Sequence, residues 1–128
     1  MGDTAAELEE IIARYNDAWN ARDLDAICAA HAPDFVFENH TAGERAEGDA
    51  ARDHIAKIFE GTPDLRFTSR RLYTRDGLVV SEWTAHATRD GTRVEWDGVD
   101  VFPFENGLIK RKDVYSAGAR PRVVGDSS

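Results

Sequence analysis

The chain has 128 residues, 41% of them apolar and 31% charged, which fits one globular domain and is too apolar for a disordered segment. Sixteen basic residues stand against 24 acidic ones, a net charge of −8, and residues 1–64 alone hold five basic and 15 acidic side chains, so no nucleic-acid partner is expected. The single Cys28 excludes an internal disulfide and a multi-cysteine zinc site, no apolar run approaches the ~18 residues of a membrane span, and the acidic start MGDTAAELEE is unlike a signal peptide; a soluble, cytoplasmic chain with no membrane partner is expected.

The first predicted element is a helix over residues 4–20. Thr4 and Glu7 form a capping box, and Leu8, Ile11, Ile12, Tyr15, Ala18 and Trp19 recur at helical spacing along one apolar face. Asp23 caps a short second helix, roughly 24–31, with Leu24, Ile27 and Cys28 inward. Pro33 and Asp34 break the chain ahead of a short strand, Phe35 to Asn39. The polar stretch from His40 to Gly48 reads as a loop. A third helix covers roughly 49–60, with Ile55, Ile58 and Phe59 as its apolar stripe and Gly61 as its stop. Four strands follow, Leu65 to Arg75, Leu78 to Thr88, Thr92 to Phe104 and Leu108 to Ser116. The dipeptides Asp76-Gly77, Asp90-Gly91 and Asn106-Gly107 turn the chain between them. From Ala117 onward no apolar periodicity remains. Residues 1–116 are therefore read as one domain and 117–128 as a flexible tail.

Helices first and a four-stranded meander second make an α+β fold of segregated elements. Antiparallel strands of about ten residues twist and curl. The expected architecture is a cone-shaped, curved antiparallel sheet capped by three N-terminal helices, with an apolar interior able to take a small molecule.

Alternation on the third long strand puts Trp96, Gly98, Asp100, Phe102 and Phe104 on one face. If that face is the interior, Asp100 sits among aromatics, where a carboxylate is costly unless protonated or hydrogen-bonded, and such acids mark sites. The other reading is an Asp on the convex, solvated face. Tyr15, on the apolar face of the first helix, is either a core tyrosine or a site residue, and its hydroxyl needs a partner if buried. Asn39, on the side of Phe35 and Phe37, is either a turn cap or a ligand contact, and His40 follows it toward a pocket mouth. Trp83 and Trp96 offer flat apolar surface, either to the core or to a ligand. The histidines, His31, His40, His54 and His86, show no metal-ligand spacing, so no metal is expected.

The segments RYNDAWNARDLDAICAAHAPDFVFENH, EGDAARDHIAKIF, PDLRF and VDVFPFENGLIKRKDVYS resemble the SnoaL-like branch of the nuclear-transport-factor-2-like superfamily, over roughly residues 5–116. The resemblance implies a cone-shaped α+β barrel, often dimeric through the outer sheet face. Ketosteroid isomerases of that superfamily have an oxyanion-hole tyrosine in an R-Y context, matched by Arg14-Tyr15. Their protonated aspartate is matched in Val99-Asp100-Val101-Phe102. Their general base falls on Asn39 within Phe37-Glu38-Asn39, and an amide cannot abstract a proton, which argues against isomerisation by the usual route. Limonene epoxide hydrolases carry an asparagine at that place, but their Arg-x-Asp pair falls on Ser81 and Trp83. Cyclases of the SnoaL type use a pocket aspartate as general acid and base, a role open here to Asp100. Alignment of the last strand turns Lys112 and Val114 inward and Asp113 and Tyr115 outward, so Lys112 would pair with Asp100 and lower its pKa.

The expectation is thus an acid–base enzyme of isomerase or polyketide-cyclase type, needing no cofactor, acting on a small hydrophobic carbonyl compound. The alternative is a non-catalytic binding or dimerisation module. Asp100, Tyr15, Asn39, His40 and Lys112 would carry the chemistry. Trp19, Phe37, Phe59, Trp83, Trp96, Phe102 and Val114 would form the walls. A homodimer is expected through the convex face, around Arg111, Asp113 and Tyr115.

Overall fold

The computed structural model describes residues 3–126. Three helices, α1 (Ala5–Ala21), α2 (Leu24–Ala29) and α3 (Asp49–Gly61), accompany seven strands: β1 (His31–Asn39), β2 (Glu44–Glu47), β3 (Arg66–Arg75), β4 (Leu78–Arg89), β5 (Thr92–Glu105), β6 (Leu108–Ser116) and β7 (Arg122–Asp126). The strands form one curled, unclosed sheet in the order β2-β1-β6-β5-β4-β3, with β7 paired to the start of β5. The fold is α+β, as expected, but the sheet is mixed. The β3–β6 meander is antiparallel, whereas β1 returns parallel to β6, with Phe37 opposite Lys112 and Asn39 opposite Val114.

Both helix caps read from sequence are present. The Thr4 side chain accepts from the Glu7 N–H, and the Asp23 carboxylate from the Ala26 N–H. Helix α1 buries Leu8, Ile12, Tyr15 and Trp19 against the concave face. Each fully buried aliphatic side chain there contributes about 1.5–3 kcal/mol. Its start is pinned to the turns at one end of the sheet. The Asp3 carboxylate accepts from the Asn106 and Gly107 N–H groups at 2.9 and 2.7 Å, and the Asp3 carbonyl accepts from Gly77. Asp90 and Asn106 have positive φ, as do the glycines that follow them, the geometry for which Asp-Gly and Asn-Gly are selected.

Three segments differ from expectation. Strand β1 begins at His31, through Pro33, with a register shift against β6 that absorbs the irregular start. The stretch expected to be a loop holds β2, a polar edge strand whose side chains are mostly exposed and so show no alternation. Past Ser116 the chain forms β7 on β5, with Val123 and Val124 both exposed, again leaving no period-2 signal. No described helix is long and apolar enough to cross a membrane.

Candidate functional site

Strand parity builds the site. In β4, Val79, Ser81, Trp83, Ala85 and Ala87 point inward; in β5, Val94, Trp96, Asp100, Phe102 and Phe104 do so. Lys112 and Val114 of β6 and Phe35 and Phe37 of β1 complete the concave face. Ser81 lies opposite Asp100, and Trp83 opposite Gly98. A Cβ on Gly98 would lie 2.2 Å from the Trp83 ring, so the absence of a side chain at 98 is what lets the indole lie flat across β5. Glycine is required there for close approach rather than for its backbone angle.

A cavity of about 180 Å³ opens from this face. Trp19, Phe37, Trp83, Trp96 and Val114 give it apolar wall; Asp100 and Lys112 give it charge; Asn39 adds an amide. The exposed Glu44 and Arg89 mark its mouth. A narrow extension of about 20 Å³ continues past Asp100 and Lys112 between Asn16 of α1 and Ser69 of β3.

Asp100 and Lys112 are 4% and 6% exposed, deep for two charged side chains. Lys112 Nζ lies 3.8 Å from Asp100 Oδ2, near enough for charge attraction and too far for a hydrogen bond. The same nitrogen sits 3.7 Å from the centroid of the Trp19 ring, with the rings of Tyr15, Phe37 and Phe102 at 5.3, 5.6 and 5.9 Å. Asp100 Oδ1, Ser81 Oγ and Trp83 Nε1 are buried with no hydrogen-bond partner within 3.5 Å, although the Trp83 N–H lies near enough to Asp100 to favour its carboxylate. Burial pushes the Asp100 carboxyl above its usual range, opposed by the Lys112 charge. Burial pushes the Lys112 ammonium below its usual range, opposed by Asp100.

The remaining candidates separate. Tyr15 is buried on α1, but its hydroxyl shares a 2.8 Å hydrogen bond with His31 Nε2 instead of reaching Asp100. Sequence reasoning missed His31 because its position depends on the irregular start of β1. The His31 ring stacks on Phe35 with centroids 3.5 Å apart, and burial, with Lys112 adding repulsion, lowers its pKa to about 3. Burial likewise raises the Tyr15 phenol, so the two groups are neutral partners at neutral pH.

Asn39 is a turn cap, its Oδ1 accepting from the Ala42 N–H at 3.0 Å, and the residue also lines the cavity. His40 is not at the cavity mouth. As the residue after Asn39 it points to the opposite face, where it contacts Asp113 at 2.8 Å and stacks on Tyr115. Phe59 and Phe102 are not on the cavity surface either. Phe59 packs edge-on against Trp19, and Phe102 against Tyr15, so both support the wall from behind. Phe67, half-buried on β3, is a wall residue that the sequence reading passed over, because its neighbours on the strand are mostly exposed.

On the convex face Arg111 bridges Glu38 at 3.0 Å and Asp113 at 2.7 Å. Glu38, His40 and Asp113 bring possible ligand atoms within 4.8 Å of one another, but both carboxylates already hold the guanidinium.

The SnoaL-like domain family model matches residues 12–112. Among solved structures, Bal32a from a soil-derived mobile gene cassette is 17% identical with a TM-score of 0.80, covering 88% of this chain and 91% of that one. A protein described as a SnoaL-like polyketide cyclase from Jannaschia sp. CCS1 is 21% identical with a TM-score of 0.76, covering 86% and 85%. An LEH-like epoxide hydrolase from M. tuberculosis is 21% identical with a TM-score of 0.69, covering 86% and 82%. At these identities the likeness is one of fold. No curated protein sequence matches this chain.

Proposed function

This chain belongs to the SnoaL-like domain family, and from that premise we propose that it is an acid–base catalyst, of isomerase or cyclase type, acting on a small apolar carbonyl compound held in the concave cavity. One observation carries the reading: Asp100 and Lys112 are buried together on the wall of an aromatic cavity, with Asp100 Oδ1 unpartnered. A carboxylate whose pKa is raised by burial is a better base at neutral pH, and proton transfer from a positioned side chain contributes about 10²–10⁴-fold. Asp100 would take a proton from the carbon beside the carbonyl. The Lys112 cation would stabilise the negative charge that develops on the oxygen. Asn39, with Oδ1 held by Ala42, offers its amide N–H groups and no base.

A second reading, binding without turnover, is favoured by Asn39 at the expected base position and by Tyr15 being committed to His31. Proton exchange separates the two. Ketones that quench the tryptophan fluorescence are incubated with the protein in D₂O, and deuterium at the α-carbon is followed by NMR. The catalytic reading expects exchange well above the buffer rate, reduced about 10²-fold or more by Asp100→Asn with binding retained. Binding with exchange at the buffer rate would establish the second reading. The proposal includes a homodimer through the convex face, where Tyr115 is 45% exposed; sedimentation equilibrium showing a monomer at tens of micromolar rejects that part.

A further inference from the structure

We propose that Lys112 is a nucleophilic amine, which condenses with an apolar aldehyde or ketone in the cavity to form an iminium, with Asp100 carrying the protons. The inference rests on the preceding assignment of a carbonyl compound to this cavity and adds a covalent step to it.

The chain has three lysines. Lys57 is exposed on α3, and Lys110 holds the Asp34 carboxylate at 2.8 and 3.0 Å. Lys112 alone faces the interior and lines the cavity, and its Nζ has no acceptor within hydrogen-bond distance on Asp100. A lysine needed only as a counter-charge is expected in a close, hydrogen-bonded pair, because a buried pair offsets its desolvation only with good geometry. Here the pair is loose. In so buried a site, moving one proton from the ammonium to the carboxylate gives a free amine beside a carboxylic acid, the combination that imine formation requires. The opposed shifts of the two groups favour the same transfer.

The step balances without an external reagent. Asp100 takes a proton from the ammonium. The amine lone pair adds to the carbonyl carbon, and the π pair moves to oxygen, which takes the proton back from Asp100. Asp100 next removes a proton from the attacking nitrogen and delivers it to the hydroxyl. Water leaves as the nitrogen lone pair closes the C=N bond. One ammonium and one carbonyl give one protonated imine and one water, and Asp100 ends as a carboxylate. The product keeps its positive charge at the atom that now faces Trp19 at 3.7 Å, so the aromatic box stabilises the iminium as it does the ammonium. The iminium is an electron sink for the adjacent carbon, which acidifies the proton that Asp100 is placed to remove.

Reductive trapping tests this on the wild-type chain. The protein is incubated with benzaldehyde and sodium cyanoborohydride at pH 7, and peptide mass spectrometry follows benzylation of Lys57, Lys110 and Lys112. Binding of benzaldehyde is followed separately by saturation-transfer NMR. Lys112 is expected to label at least tenfold faster than either other lysine. Asp100→Asn is expected to slow only that labelling, and Lys112→Arg, which keeps the cation, to remove it. Labelling of Lys112 no faster than of Lys57, with benzaldehyde bound, overturns the covalent step and leaves Asp100 as a base with Lys112 as its neighbouring cation. Neither selective labelling nor binding overturns both this step and the assignment of a carbonyl ligand.

Discussion

Strand β6 carries two sets of charges one residue apart, and they are treated in opposite ways. On the convex side, Arg111 and Asp113 are joined to Glu38 and His40 by contacts of 2.7–3.0 Å. Burial works against the Asp113 carboxylate, yet the hydrogen bonds from Arg111 and His40 hold its pKa below the usual value. On the concave side, Lys112 and Asp100 lie 3.8 Å apart on the wall of a cavity, and a carboxylate oxygen is left without a partner within 3.5 Å. Charges that serve the fold are satisfied within it. Charges left under-satisfied in a buried aromatic wall cost stability, and that cost is reasonable where a ligand completes their contacts.

The comparison fails first if the concave wall is not the structural core. Phe102→Ala, at a fully buried site, is expected to cost about 3–5 kcal/mol in urea unfolding, whereas Tyr73→Ala, at a half-exposed site on β3 away from Arg111, Asp113 and Tyr115, costs under about 1 kcal/mol. Equal losses would mean that the concave wall is no more the core than an exposed strand edge is. Gly98→Ala forces the Trp83 ring off β5 and is expected to cost about 1–3 kcal/mol and to change the near-UV circular dichroism. An unchanged spectrum and stability would show that the indole does not lie there.

The His31–Tyr15 pair sharpens the contrast through pH. The folded-state pKa of His31, about 3, lies below its unfolded value of 6.5. Between those values the unfolded chain holds the extra proton, so stability rises with pH through that window and is fully present above it. The largest slope from this one group is about 1.4 kcal/mol per pH unit. His31→Gln is expected to flatten the stability profile between pH 4 and 6 by up to that amount, measured by urea titration at each pH. A profile parallel to wild type would mean that His31 titrates normally. The smallest effect is expected on the convex side, where Asp113→Asn costs about 1 kcal/mol or less and salt reduces the loss.

Much of this was legible in the residues. Thr4 and Asp23 cap the helices they were expected to cap, the Asp-Gly and Asn-Gly turns bound the long strands, and alternation along β5 put Asp100 inward beside Trp96 and Phe102. The inward turn of Lys112 came from the family resemblance, because a register shift between Val101 and Phe104 breaks simple counting across β5 and β6. What stayed hidden depends on pairing partners. Strands β2 and β7 are short edges with mostly exposed side chains, so no period marked them. With β2 unseen, the alternation that turns His40 away from Asn39 was not applied. The link from Tyr15 to His31 joins α1 to the irregular first residues of β1, and neither residue's neighbours in sequence announce it.

The anchoring of Asp3 has a consequence for how the chain matures. Its carboxylate is held by Asn106 and Gly107, more than a hundred residues away, so during synthesis α1 emerges long before the hairpin that secures its start. Until the β5–β6 turn emerges, the apolar stripe of Leu8, Ile12, Tyr15 and Trp19 has only a partial sheet to cover. The cavity and its buried charges are therefore assembled only once β6, which carries Lys112, has been made, and a nascent chain stalled before Asn106 would present that stripe to chaperones.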